Sequence, residues 1–256
     1  MKKNKPLILV VNDDGIVSPG IKFLIEVMEK IGHVFVVAPS LNRSGASHSM
    51  TLSTDIFIKK MNNQDNYFIC SGTPVDCVKV AVSKLLPKLP DLCVSGINHG
   101  SNHSINSLYS GTLHAAMEAN IKGVPAISFS HLNYSENINF DDLEDIITSI
   151  SQKVLDYGLP KSLTLNINFP DVPFANMKGV RVCKQASGYW DEEFVKTQNK
   201  QSKIFYSIRG QFICDNTEKN TDGWALKNNF ISIVPVSFNS DLPLDINAIN
   251  YLVNDF

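Results

Sequence analysis

An apolar run, Leu7 to Val11, ends in Asn12-Asp13-Asp14-Gly15, which sets two carboxylates side by side. Charges about 4 Å apart repel by about 4 kcal/mol at an effective dielectric of 20, so the pair implies a bound cation, a raised pKa or strong solvation. A divalent ion resolves the repulsion. The alternative is plain turn chemistry, since Asn and Asp favour turns and Gly supplies positive φ. Two more polar clusters follow apolar runs: Asn42-Arg43-Ser44-Gly45 and Ser95-Gly96-Ile97-Asn98. Two carboxylates, a hydroxyl and an amide oxygen make an all-oxygen set that suits Mg²⁺ or Mn²⁺ better than zinc. His99 and His103 have four-residue spacing, but Gly100 between them indicates a loop, and both read as solvated loop histidines.

Tyr109-Ser110-Gly111-Thr112 stands where a helix begins. Its hydroxyls and unpaired backbone N–H groups, at the positive end of the helix dipole, suit a phosphate. A plain Ser cap with a tightly packed Gly is the alternative. The Ser/Gly loop from Arg43 to Ser47 carries little weight alone; convergence with the acids raises both.

The elements that must position these groups alternate. Leu7 to Val11, Val34 to Ala38, Tyr67 to Cys70, Asp91 to Ser95, Pro125 to Ser130 and Leu163 to Phe169 read as strands. Between them, Gly20 to Ile31, Pro74 to about Leu86, Ser110 or Gly111 to Asn120, and Phe140 to Tyr157 carry helical periodicity. Thr73 can cap the second helix and Pro74 begin it. Uninterrupted apolar strands alternating with helices predict an α/β fold: a mostly parallel sheet with helices on both faces. Ligands in such sheets bind beyond the carboxyl ends of the strands, and the three polar loops all fall there.

Beyond residue 178 the pattern turns β-rich, with Gly179 to Lys184, Ile204 to Ile208 and Phe230 to Val236 as strands. Asp215 to Gly223 reads as a loop, and helices are expected to be absent until a terminal one over Leu244 to Val253. The expectation is one domain over residues 1–256, a core to about 178 and a β-rich extension with a C-terminal helix over 179–256.

The 256 residues are 43% hydrophobic, ample for a large core. Their 23 basic and 25 acidic side chains carry no global footprint for nucleic acid or an anionic membrane. Met1-Lys2-Lys3-Asn4-Lys5 resembles the basic region of a signal peptide, but the apolar run behind it is short and ends in acids. No run approaches the roughly 20 residues that span a bilayer, and a cytoplasmic location is expected. Cys70, Cys77, Cys93, Cys183 and Cys214, an odd number without a CxxC pair, read as reduced. Neither the P-loop nor the dinucleotide fingerprint occurs, nor a G-x-S-x-G elbow, which disfavours ATPases, dehydrogenases and serine hydrolases.

Taken in order, Val11 to Gly15 with Pro19-Gly20, Ala38-Pro39 with Asn42 to Ser47, Gly72-Thr73-Pro74 with Asp76 to Val78, Ser95 to Asn98 with Gly100 and Asn102, and Tyr109 to Thr112 with Ala115-Ala116 and Glu118 resemble the SurE family of metal-dependent 5′-nucleotidases. Weaker similarity runs on through Leu165 to Asn168, Lys178 to Val182 and Thr221-Asp222, so it covers nearly the whole chain. The resemblance implies that Asp13, Asp14, Ser44 and Asn98 hold one divalent cation per subunit, Mg²⁺ or Mn²⁺. It also implies a Rossmann-like core, that Gly45, Ser110, Gly111 and Thr112 surround the phosphate, and that the extension assembles a homodimer or homotetramer. Where many members carry Gly-x-Asp, this chain has Ser104-Ile105-Asn106.

The activity expected is hydrolysis of nucleoside 5′-monophosphates, with 3′-nucleotides and short polyphosphate as further candidates. Asp13 and Asp14 are the catalytic pair, and Asp13 is the one expected to orient or deprotonate water or to act as nucleophile. A non-hydrolysing nucleotide-binding protein would use the same ligands. A signalling receiver domain would need an aspartate ending its third strand and a lysine ending its fifth, where Ile69-Cys70-Ser71 and Ile127 to Ser130 stand. An aspartyl-phosphate hydrolase would prefer Asp-x-Asp.

Overall fold

The computed structural model describes residues 5–62, 64–135, 138–198, 203–239 and 246–253. Strand β1 (Leu7–Val11) pairs in parallel with β2 (His33–Pro39) on one side and β5 (Leu92–His99) on the other. Outside β2 lie β4 (Tyr67–Cys70), parallel, and the short β3 (Ile58–Lys60), antiparallel. Outside β5 lie β6 (Ala126–His131) and β7 (Leu163–Phe169), both parallel, then β11 (Ile231–Ser237), antiparallel, and β8 (Val180–Val182).

Strand β1 shows why the sheet is buried on both faces. Ile8 and Val10 join one apolar cluster, with Ile21, Leu24 and Ile147; Leu9 and Val11 join another, with Cys77, Ala115 and Ala119. Alternate side chains thus pack on opposite helical layers, as the period of two requires. Helices α1 (Pro19–Ile31) and α4 (Glu144–Tyr157) cover the first face, α2 (Pro74–Val80) and α3 (Gly111–Ile121) the second.

Local chemistry fixes where these helices start. Thr73 and Asp76 form a reciprocal capping box on α2, with Pro74 in the first turn. Gly20 of α1 lies so close to β5 that an added Cβ would come 2.0 Å from the carbonyl oxygen of Ile97, so only glycine allows this packing. Helix α3 is buried from Gly111 to Asn120, and the small Ala115, Ala116 and Ala119 let it sit close to the sheet.

The expected strands β1, β4 and β7 are present with the expected ends, and the three strands expected after residue 178 form as well, although this β-rich region divides in two. β8 and β11 complete the main sheet, because the apolar faces of Ile231 and Ile233 bury against its core cluster. What stands apart is a two-stranded antiparallel hairpin of β9 (Gly188–Gln198) and β10 (Ile204–Cys214). The region is not free of helices either: α5 (Asp222–Lys227) starts at a Thr221 cap inside the stretch that read as loop. At the C-terminus the expected helix is a run of 3₁₀ turns over Ile246–Leu252; residues 244 and 245 lie outside the described residues, as do the basic residues 1–4.

Candidate functional site

The strand order reverses between β1 and β5, since β2 follows on one side of β1 and β6 on the far side of β5. This is the topological switch point, where the crossovers diverge and leave a crevice beyond the carboxyl ends. Asp13 and Asp14 leave β1 there, and Asn98 stands at the end of β5.

The turn reading of Asn12 to Gly15 holds for its outer residues. The amide of fully buried Asn12 donates to the Gly15 carbonyl at 2.9 Å and to Ser18 Oγ at 3.0 Å, while its oxygen accepts from the Gly15 N–H at 3.2 Å. Gly15 takes φ +96°. Asn12 and Gly15 therefore build the turn, and the turn presents the two acids.

Asp13 is buried against the start of α3. Its carboxylate accepts a short hydrogen bond from the Thr112 hydroxyl, and a Cβ on Gly111 would lie 2.9 Å from its Oδ2. Burial, then the charge of Asp14, push the Asp13 carboxyl up to about 7; hydrogen bonds from Thr112 and from its own backbone N–H pull the other way. Ser110 caps α3 through a bond from the Leu113 N–H at 2.9 Å.

The loop after β2 is tied to the acids. The Arg43 N–H donates to the Asp13 carbonyl at 2.8 Å, and the Asn42 amide to Asp14 Oδ1 at 3.3 Å. Asn42 Oδ1 in turn accepts from the Ser44 N–H at 2.7 Å and its hydroxyl at 2.6 Å. Farther along, Ser47 bonds to the backbone of Leu108 and Tyr109, which joins the loop to the approach of α3. A register shift in β5 between Ser95 and Asn98 turns the strand end, and Asn98 Nδ2 donates to the Gly100 carbonyl at 2.7 Å, which directs its oxygen away from that loop.

Asp13, Ser44, Gly45, Asn98 and Ser110 line one cavity of about 630 Å³. Asp14 and Asn42 are outside its lining, with Asn42 linking Asp14 to Ser44; Gly111 packs behind Asp13, and Thr112 is fully buried with its hydroxyl committed to Asp13. The oxygen-only donor set and the carboxyl driven up by burial and like charge both fit a hard divalent cation, whose charge would reverse that shift. The two histidines part company: His99 Nδ1 bonds the Ser135 carbonyl at 2.9 Å, whereas His103 Nδ1 bonds Ser101 Oγ at 2.9 Å and is buried. His99 ends β5, half-buried with its ring against Phe140, so neither histidine is a solvated loop residue.

Several residues of the cavity carry no sequence signal. Tyr134 follows β6, and Trp190, Glu192 and Arg209 come from the hairpin, far along the chain from the acids. Spacing could not have found them; only the tertiary fold brings the hairpin over the strand ends.

The family model described as Survival protein SurE matches residues 8–192. A protein named 5′-nucleotidase SurE from Christiangramia forsetii is 49% identical over 242 residues, which cover 93% of each chain. Its namesake from Flavobacterium psychrophilum is 47% identical over 250 residues, 96% of this chain and 97% of that one. The crystal structure of the SurE protein from Aquifex aeolicus superposes with a TM-score of 0.80 at 36% identity, covering 96% of this chain and 99% of that chain.

Proposed function

The chain belongs to the SurE family, and from that premise we propose that it is a metal-dependent 5′-nucleotidase that hydrolyses nucleoside 5′-monophosphates, with 3′-nucleotides and short polyphosphate as further substrates. One observation carries the reading: Asp13, Ser44, Asn98 and Ser110, from four separate segments, meet in one cavity at the switch point of the sheet.

In this reading Asp13, Asp14, Ser44 and Asn98 hold one Mg²⁺ or Mn²⁺ per subunit. Bound there, the ion would neutralise phosphoryl charge and acidify a water. The protein's own part is positional. Thr112 and the backbone at the start of α3 fix the Asp13 carboxylate, which leaves one oxygen to orient the attacking water or take its proton. Ser110 and Gly111 set the positive end of α3 toward the phosphate, and Gly45, at φ +75° with open space around it, allows the phosphate to approach the backbone.

Exposed Phe194, Phe205, Tyr206 and Ile208 on the hairpin support assembly into a homodimer or homotetramer through this arm. Among the described residues no helix is long and apolar enough to cross a membrane, and the five cysteines are free thiols, which supports a reducing compartment, the cytoplasm.

The test is phosphate release from AMP, GMP, CMP, UMP, 3′-AMP and short polyphosphate with Mg²⁺, Mn²⁺ or EDTA, beside Asp14→Ala. Metal-dependent release that vanishes in the variant is expected. No release from any substrate by folded, metal-loaded protein would favour a nucleotide-binding role without hydrolysis.

A further inference from the structure

The cavity that holds the acids does not end at them. It continues to the hairpin, where Trp190, Glu192 and Arg209 form its far wall. A phosphate needs only the near end. The far end is therefore free to recognise what the phosphate is attached to.

Trp190 is built as a fixed plane. Its indole Nε1–H donates to Asn106 Oδ1 at 2.8 Å, and its ring packs against Phe212 with centroids 5.7 Å apart. The residue remains 37% exposed, on a side chain that borders the cavity. The root of the hairpin is equally fixed. Buried Asp222 accepts from the Ser104 N–H at 2.9 Å and the Ala186 N–H at 2.8 Å, and Ser104 Oγ donates to the Ala186 carbonyl at 2.9 Å. These bonds tie the start of β9 to the 3₁₀ turn, Ser104–Leu108, that carries Asn106. An indole locked at its edge and open at the cavity loses little entropy when a flat ring stacks on it.

We propose that Trp190, oriented by Asn106, is the platform on which the base of a nucleoside monophosphate stacks, with Glu192 and Arg209 beside it as polar contacts for the base or ribose. The inference rests on the nucleotidase reading and assigns the hairpin a part in that same site. Every base has a π face, so such a platform accepts all of them and favours the larger purines.

The test uses the full chain and two readouts. Trp224 stacks on Phe230 outside this cavity, so Trp224→Phe leaves Trp190 as the single indole. In that background adenosine, which has no phosphate, quenches Trp190 fluorescence in EDTA as well as in Mg²⁺. Separately, Trp190→Ala raises KM for AMP about fivefold or more while KM for ribose 5-phosphate, which lacks a base, stays within about twofold. Trp190→Phe restores most of the AMP affinity, which a misfolded hairpin would not allow. Absence of quenching, together with equal effects on the two esters, overturns the platform and leaves the nucleotidase standing. Quenching without hydrolysis of either ester supports the platform and overturns the nucleotidase.

Discussion

Helix α3 touches two buried acidic centres whose surroundings are opposite. At its N-terminus Asp13 meets a hydroxyl, backbone N–H groups and a second carboxylate, and no cationic side chain among the described residues pairs with it. Two turns on, Glu118 meets His48 at 3.1 Å, Lys79 at 2.8 Å and Lys122 at 4.0 Å. Burial alone would raise the Glu118 carboxyl, but the contacts with His48 and Lys79 outweigh it and hold it below the usual carboxylate range. The protein thus supplies its own counter-charge where a buried acid only joins elements. At the strand ends it withholds one, and a bound cation has room to act.

Removal of either acid should separate the two roles. Asp14→Ala should lower kcat/KM for AMP by about 100-fold or more, since even loss of residues behind metal ligands costs 10- to 100-fold. Its metal-free thermal midpoint should stay level or rise, because one of two repelling charges is gone. A fall in stability as large as the fall in activity would break the distinction between the centres.

Glu118→Ala should do the reverse. Breaking a buried pair costs about 3–5 kcal/mol, but His48 and Lys79 are each about a third exposed, so a loss of roughly 1–3 kcal/mol is expected, or several degrees in Tm. Activity per folded molecule should fall much less, through the loop that His48 shares with Ser44. Differential scanning calorimetry beside steady-state rates on the same samples checks both halves.

The two centres also differ in how far the sequence discloses them. Asp13, Asp14, Ser44 and Asn98 are legible because each lies where an apolar run stops, and strand ends are where α/β sheets bind ligands. The Thr73 cap and Pro74 are legible for the same local reason. Glu118 appears in the sequence only as part of a motif; its partners His48 and Lys79 come from another loop and another helix. The hairpin was half hidden. In β9 the run Asp191-Glu192-Glu193 interrupts the apolar alternation, and both faces are largely exposed, so no period of two marks the strand. Helix α5 spans six residues, too few for a helical period to emerge.

Titration should set the centres against each other. In metal-free protein the Asp13 carboxyl is raised to about 7 by burial first and Asp14 second, so its contribution to stability is full below its unfolded value and is lost as pH rises through 7. Glu118 is held low, so its contribution is present at neutral pH and lost as pH falls through its folded value. Asp13→Asn should therefore gain on the parent by a few kcal/mol between pH 4 and about 8 in EDTA, at about 1.4 kcal/mol per pKa unit. Glu118→Gln should instead fall further behind as pH rises. Parallel curves for the two variants would mean that the centres are not electrostatically distinct. With metal present the Asp13→Asn gain should vanish, and kcat should fall at least about tenfold.

The smallest change acts on geometry alone. Gly111 opens α3 directly against Asp13, and a Cβ there would meet both the Cβ and Oδ2 of Asp13 at 2.9 Å. Oδ2 can yield by rotation of the side chain, whereas Asp13 Cβ is carried by its backbone, so the start of α3 and the end of β1 must also part slightly for the fold to survive. Alanine also favours a helix over glycine by about 1 kcal/mol, which offsets the crowding. The cost should fall on the carboxylate, pushed off the Thr112 hydroxyl. Displacements of about 1 Å cost up to 100-fold in rate, and a side chain that can partly swing back should lose roughly tenfold. Gly111→Ala is thus expected to keep Tm within a few degrees while kcat drops. Gly20→Ala makes the matched control, because its Cβ would strike the Ile97 carbonyl at 2.0 Å and must cost stability first. Were Gly111→Ala to lose stability and keep kcat, the start of α3 would serve packing at Asp13, and the carboxylate would be set by the Asn12 turn instead.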